Sequence, residues 1–416
     1  MRTIKLRFPL SPFTIWVAFL SLLFFAGLIG MGIVFTKGLV VTNLTDLVPW
    51  GLWITIDLSS IAMSAGAFSL CALVYLLGLK RFQPLARTAT FVGLIGYSMA
   101  VLTLLLDIGR PDRFWHAIVY WNTHSVLWEV TMCVTLYFTV LLLESAPIFA
   151  GLPWLKQRFP WVSLHLSSLH HLAPYLAIVG LGLSMLHQSS LGATYGVLKA
   201  RPIWYRPDLS VLFMASAIAG GISMTLLVTM LSGRLSPRVK VNDELVEKLA
   251  YAVGWVLVGY LYFRFWDALS MTYTYAPGRT EGLQVITKGA LSFNFWVGEI
   301  LLGAVAPILI LLNQRYRSQP ILRMLALALV VGGVVAYRWD TNIAGQLVLL
   351  TYLPNEIVAR YTHYVPSFIE FVTGAGVVAY GVLAVTLGVR YLNIVDHSPL
   401  GLGEESSQAV VPATGD

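Results

Sequence analysis

The sequence predicts an all-α, polytopic membrane protein of about ten transmembrane helices, and three observations carry that reading. Only 11% of its 416 residues are charged while 57% are hydrophobic, at a mean hydropathy of +0.75; an ordinary soluble domain carries about 25% charged residues. The apolar residues fall in runs of about 20, the length that crosses a hydrocarbon core. Short polar connections between the runs hold most of the Lys and Arg, where such residues set topology. A soluble core could not absorb this apolar surplus at this length. The net charge of +7 does not point to nucleic acid, because the basic residues are spread over the connections and form no patch.

Taken in order, spans are expected near 12–36, 49–78, 87–107, 124–145 and 167–190, then near 209–232, 249–275, 290–313, 320–344 and 366–391. The first follows a basic stretch, MRTIKLRFPLSPF, without a small-residue cleavage site, and reads as an uncleaved span. Residues 397–416 are polar and punctuated by Pro and Gly, and read as a disordered tail behind one integral membrane domain, 1–396. Ten spans put both termini on one face. Of the 27 Lys and Arg residues, 16 fall in the termini and loops of that face, nine in the opposite loops and two inside spans. The positive-inside rule therefore places both termini in the cytoplasm. The two cysteines, Cys71 and Cys133, lie inside apolar stretches without metal or disulfide spacing, so no iron–sulfur cluster and no metal site is expected in this chain.

An internal repeat shows in the order of motifs. Span two carries Ser64-Ala65-Gly66-Ala67-Phe68-Ser69 and span six Ile218-Ala219-Gly220-Gly221-Ile222-Ser223. Asp107 ends span three and Asp267 lies late in span seven; SVLWE opens span four and SFNFWVGE opens span eight. Pseudo-repeats over about 49–190 and 209–344 thus suggest two four-helix bundles, with the first and last helices peripheral.

Ionisable side chains at membrane depth are expensive and usually face a cavity or a partner. Asp57, Asp107, Glu129, His187, Arg264, Asp267, Glu299, Arg338, Asp340 and Glu370 all fall within spans, and chain direction puts nearly all of them towards the non-cytoplasmic face. Such one-sidedness predicts a shared polar cavity opening outward. Simpler readings stand beside it. Arg264 and Asp267, three apart, can neutralise each other, and Asp107 with Arg110 can form a clamp at a helix end. Trp50, Trp121 and Tyr275 suit an interfacial belt, whereas Trp53 and Trp128 lie deeper and suit a cavity wall. Glu129 and His187 have no local partner and are the stronger functional candidates.

With these residues the chain resembles the NrfD/PsrC quinone-interacting membrane subunits, and more closely their ten-helix branch. That branch includes the membrane subunit of periplasmic nickel–iron hydrogenases and relatives in other respiratory complexes. The matching pieces are PWGLWITIDL (49–58), SAGAFSL (64–70), LDIGRPDRFWH (106–116), NTHSVLWE (122–129), LHQSSLGA (186–193), RFWD (264–267), FWVGE (295–299) and YRWD (337–340). The resemblance covers all ten spans and lapses only in the tail. It implies a subunit of a prokaryotic inner-membrane complex, not catalytic alone. Such a subunit exchanges electrons between a quinone, menaquinone or ubiquinone, and a periplasmic ferredoxin-like iron–sulfur subunit. A catalytic or multihaem cytochrome subunit lies beyond that partner. Haem is not expected in the chain, since bis-His ligation wants facing imidazoles while His170 and His171 lie at one end of span five and His124 and His187 near the other.

On this basis His187 bonds a quinone oxygen and passes a proton, a role suited to imidazole. Asp107 and Glu129 relay protons outward, with Arg110 holding Asp107 ionised. Trp53 and Trp128 wall the ring, and Asp57 orients one of them or extends the relay. Asp267, Glu299 and Asp340 form a second copy, either vestigial or a proton route across the membrane. The alternatives are a secondary transporter, for which inverted repeats and broken helices would be expected, and a purely structural anchor.

Overall fold

The computed structural model describes residues 11–235, 239–273, 275–392 and 394–395; the tail expected at 397–416 lies outside the described residues. Ten helices are long and apolar enough to cross a membrane. Spans one to five are Pro12–Lys37, Leu52–Leu76, Lys80–Asp107, Val126–Ala150 and Ala173–Gly196. Spans six to ten are Leu209–Leu235, Asp243–Tyr273, Asn294–Leu312, Pro320–Leu347 and Phe368–Tyr391. Their ends follow local chemistry. The Ser11 hydroxyl accepts the Thr14 N–H and Pro12 opens span one, where its missing donor is harmless. Ser367 and Glu370 close a reciprocal capping box on span ten.

Span five departs from its expected 167–190. Pro153 and Pro160 head two short helices, Pro153–Arg158 and Pro160–Ser168, and Pro174 sits in the first turn of the span itself. Proline is tolerated in a first turn and disrupts later ones, so the span starts later and runs on to Gly196. His187 consequently lies in mid-helix, and not one turn before the end as the sequence suggested. Span nine also differs, since it runs straight into a β-hairpin. Val348–Leu353 pairs antiparallel with Glu356–Tyr361, from Val348↔Tyr361 to Leu353↔Glu356. VLLTYL and EIVARY are rich in β-branched and aromatic residues, and Pro354-Asn355 make the turn. The face bearing this hairpin also carries the loops after spans one, three, five and seven, and is called the hairpin face below.

Lipid tails are as apolar as leucine, so helix association in a bilayer rests on close packing and interhelical hydrogen bonds. Spans two to five pack as one group and spans six to nine as another; spans five, two and three meet span six, and span two also meets span nine. Spans one and ten pack on each other, with span ten leaning on span three. Span two is 83% buried over its apolar window against 28% for spans one and four, so span two is central while those two face outward. The two small-residue segments of the repeat meet directly. A Cβ on Gly66 would fall 2.4 Å from the Gly221 carbonyl oxygen, and one on Gly221 only 2.1 Å from the Gly66 nitrogen. Only glycine permits that crossing.

A polar clasp joins the two groups near the hairpin face. Asn342 Nδ2 donates to the carbonyl of Gly51 at 3.0 Å and to Thr55 Oγ1 at 3.2 Å. Gln346 Nε2 donates to the Trp50 carbonyl at 2.6 Å and its Oε1 accepts the Trp50 N–H at 3.0 Å. The Trp50 ring lies between Tyr195 and Trp204, 5.4 and 5.6 Å away. Trp50 is therefore an internal packing residue and not the belt residue its position suggested.

Candidate functional site

At the hairpin-face end of the first bundle, spans two, three and ten bring three carboxyls together. Asp57, one turn into span two, is 2% exposed, and its Oδ1 has no hydrogen-bond partner. Asp107, the last residue of span three, is half-buried and its Oδ1 is likewise buried without a partner. The two acids lie within electrostatic reach of each other, and Asp107 also faces Glu370 at the start of span ten. Glu370 is the contrasting member. Its Oε2 accepts the N–H groups of Ser367 at 2.8 Å and Asn43 at 2.9 Å, and its Oε1 accepts the Tyr364 hydroxyl. No arginine or lysine pairs with any of the three among the described residues. Close to Asp107 in the chain, Leu106, Gly109 and Pro111 join Val34, Phe35 and Leu39 in lining a small crevice.

Several expected roles change here. Arg110 does not hold Asp107. It pairs bidentately with Asp112, at 3.0 and 2.9 Å, on the exposed turn beyond the helix. Gly109, at φ +67°, turns the backbone out of the helix before Arg110, which carries its side chain away from the bundle. The Arg110 guanidinium holds the Asp112 carboxyl below the usual carboxylate range. Trp53 does not stand free as a wall: its Nε1 donates to Thr373 Oγ1 at 2.7 Å and to the Glu370 carbonyl at 3.1 Å, fixing span two to span ten. Trp128 donates to the Ala117 carbonyl at 2.8 Å and packs on Trp121, so it braces the loop before span four.

His187 occupies a different level. Its ring is fully buried, with Nδ1 2.7 Å from the Tyr97 hydroxyl and Nε2 without a partner. Tyr97 packs edge-on against Tyr137, ring centroids 4.8 Å apart. Tyr97 precedes Asp107 by ten residues of one helix, about 15 Å of rise. Glu129 precedes Tyr137 by eight, about 12 Å on the same scale. Asp107, Glu129 and His187 are therefore not one constellation, as the sequence suggested. The acids lie near the hairpin face and the histidine with its tyrosines near mid-membrane. Glu129 is half-buried in the first turn of span four. Asp57 lies within electrostatic reach of Tyr97, and Glu144 within that of Tyr137, so polar groups recur through the depth of the first bundle.

The second bundle treats its acids differently. Arg264 Nη1 reaches Asp267 Oδ2 at 2.7 Å and its Nε reaches Glu299 Oε1 at 2.7 Å. Arg206 adds a contact to Asp267 at 2.5 Å, and the Tyr260 hydroxyl donates to Glu299 at 2.7 Å. Glu299 lies in a stretch of span eight, Asn294–Val305, wound with i→i+5 hydrogen bonds, a wider and rarer helix. Asp340 Oδ1 accepts from Asn294 at 2.8 Å. Arg338 lies over the Phe213 ring at 3.7 Å and donates to the Phe213 carbonyl at 3.0 Å. Asp267 and Glu299 are thus locked ionic partners, an arrangement unsuited to the mobile protons the sequence allowed them. The sequence-level pairing of Arg264 with Asp267 captured only half of this network.

Reading the sequence placed Glu370 in the one-sided set without a role, and missed Tyr364, Tyr97, Tyr260 and Arg206 as members of these clusters. Glu370 carried a usable signal, since Ser367 three residues earlier makes the S-x-x-E of a capping box. The others meet their partners across long sequence separations and left no local pattern.

Fold and site together define a ten-span membrane protein that keeps bare carboxyls at one end of its first bundle, while Asp267 and Glu299 in its second are paired with arginine. Comparison with known proteins gives the family: the model described as polysulphide reductase, NrfD, matches residues 40–350. The chain belongs to this NrfD/PsrC family. It is 33% identical to the menaquinone reductase integral membrane subunit of Nitratidesulfovibrio vulgaris, over 93% of each sequence. It is also similar to the probable Ni/Fe-hydrogenase 2 b-type cytochrome subunit of Escherichia coli, at 26% identity over 85% of this sequence and 86% of that one. The NrfD protein of Escherichia coli is 29% identical over 72% of this sequence and 95% of its own length.

Proposed function

We propose that this protein is the membrane subunit through which an oxidoreductase complex exchanges electrons between a membrane quinone and a peripheral iron–sulfur subunit on the hairpin face. One observation carries the reading. Asp57 and Asp107 each hold a buried carboxyl oxygen with no hydrogen-bond partner and no paired cation among the described residues, and Leu106 and Gly109, close to Asp107 in the chain, line an apolar crevice. Such groups fit a ligand that is apolar in body and hydrogen-bonds at its ring oxygens. The Nitratidesulfovibrio relative, whose name specifies menaquinone, supports a quinone of that class. The Lys and Arg balance supports a hairpin face outside the cytoplasm, and the bacterial relatives support a prokaryotic inner membrane.

A bound quinone accepts two electrons and two protons to become quinol, or gives them up in reverse. The protein's own part is to hold the ring and move those protons. Leu106, Leu39 and Val34 exclude water from the crevice. Asp107 offers a hydrogen bond there and exchanges a proton with Asp57 behind it. Tyr97 and His187 lie further along the same bundle, His187 able to pass a proton through Nε2 while Tyr97 fixes its Nδ1. Glu129 stands at the entrance to span four, in place to exchange protons with the surface. The second bundle's arginine-paired acids hold structure and carry no protons in this reading.

Asp107→Asn and His187→Ala in the complex as purified from membranes test it, with a short-chain menaquinol analogue as reductant. Quinol-linked turnover should fall by about 100-fold or more for Asp107→Asn, the usual scale for removing a positioned acid–base group, while the complex stays assembled. Full turnover in both variants removes the assignment.

A further inference from the structure

Tyr364 and Glu370 have no part in the roles assigned so far, yet they sit where three elements meet. Tyr364 leaves the hairpin three residues after Tyr361, and it is 9% exposed. Its hydroxyl accepts the Leu52 N–H, the first of span two's helix, at 2.9 Å, and donates to Glu370 Oε1. A helix begins with N–H groups that have no partner within it, so this phenol completes the end of the helix that carries Trp53 and Asp57. Gly51 makes room for it: a Cβ there would lie 2.2 Å from the Tyr364 hydroxyl and 2.8 Å from Glu370 Oε1. The hairpin's other root is tied to the same turn. Thr362 Oγ1 donates to the Gln346 carbonyl at 2.5 Å, and the Gln346 side chain brackets the Trp50 peptide.

Glu370 is anchored from several sides. It accepts two backbone N–H groups and a phenol, and it lies in the first turn of span ten, where the helix dipole favours negative charge. Burial and the Glu370 carboxylate push the Tyr364 phenol above the usual tyrosine range, so it remains a donor throughout the physiological range. These contacts fix the Glu370 side chain in place, within electrostatic reach of Asp107.

We propose that Tyr364 and Glu370 are positioning residues for the acidic site, through which the hairpin sets both the register of span two and the placement of the carboxyl beside Asp107. The proposal rests on the quinone reading of that site. Loss of the Tyr364 hydroxyl frees the Glu370 carboxylate and leaves the Leu52 N–H unpartnered, without removing any group that touches the quinone. Glu370→Gln keeps the shape and removes the charge.

The test measures quinol-analogue turnover against pH in the purified complex, for wild type, Tyr364→Phe and Glu370→Gln, with KM and kcat resolved. Tyr364→Phe should lower kcat about tenfold, with KM within about twofold, the pattern expected when binding is intact and the reacting geometry is not. Glu370→Gln should move the kcat profile towards lower pH by about one unit or more, since a neighbouring negative charge has gone. Profiles that keep the wild-type shape in both variants, however far the rates fall, overturn the proposal and leave these residues with a folding role only. A wild-type complex that shows no quinol-linked turnover overturns the quinone reading and this proposal together. Normal wild-type turnover with unmoved profiles overturns this proposal alone.

Discussion

Replacing Arg264 by methionine is the sharpest test of how the second bundle is built. The guanidinium contacts two carboxylates, Asp267 at 2.7 Å and Glu299 at 2.7 Å, and all three side chains are 6% exposed or less. Methionine fills similar volume without charge, so the loss isolates electrostatics from packing. Removing one partner from a buried ion pair costs about 3–5 kcal/mol because the other charge is left uncompensated. Asp267 keeps Arg206, so the burden falls on Glu299, which retains only the Tyr260 hydroxyl. The size scaling of unfolding turns that into a fall in melting temperature of about 3–6 °C. Thermal unfolding in detergent, followed by helical circular dichroism, reads it directly. The cycle is completed by Glu299→Gln and the double variant, which should lose about 1–3 kcal/mol less than the sum of the single changes. An Arg264→Met protein melting within about 1 °C of wild type, or strict additivity in the cycle, would refute the reasoning.

Two further outcomes follow from the same geometry. Gly66→Leu should force spans two and six apart, since even its Cβ would lie 2.3 Å from Thr225 Oγ1; a loss of about 1–3 kcal/mol is typical of overpacking, and an unchanged melting temperature would contradict the crossing. The raised Tyr364 phenol gives a pH dependence of definite sign. The unfolded phenol ionises near pH 10 while the folded one does not, so its contribution to stability is whole below about pH 10 and is lost as pH rises beyond it. Melting temperature should therefore decline more steeply above that pH in wild type than in Tyr364→Phe, and parallel curves would count against the Leu52–Tyr364–Glu370 arrangement.

The predicted elements show which forces are local. Each apolar run of membrane-spanning length became a span, because in a bilayer a helix must satisfy its own backbone and needs no partner to announce itself. The caps are set just as locally: Ser11 before Pro12, and Ser367 before Glu370. Span five slipped because three prolines restart the helix, and the apolar pattern alone did not weigh them. The hairpin was missed because its two short strands satisfy each other only once they are paired.

The site divides along the same line. Sequence by itself determined that the protein has ten membrane-spanning helices, and it pointed to ionisable residues at membrane depth in most of them. Those properties follow from hydropathy and chain direction, which need no tertiary contact. Only the tertiary structure decided which acids are paired. Asp267 and Glu299 meet Arg264 and Arg206, Glu370 meets Tyr364, and Asp57 and Asp107 keep unpartnered oxygens. It also separated His187 from the acids it was expected to serve and gave it Tyr97 as a neighbour. A buried charge is defined by what lies within a few ångströms of it, and that is fixed by which helix faces pack together, not by the order in which the helices are made.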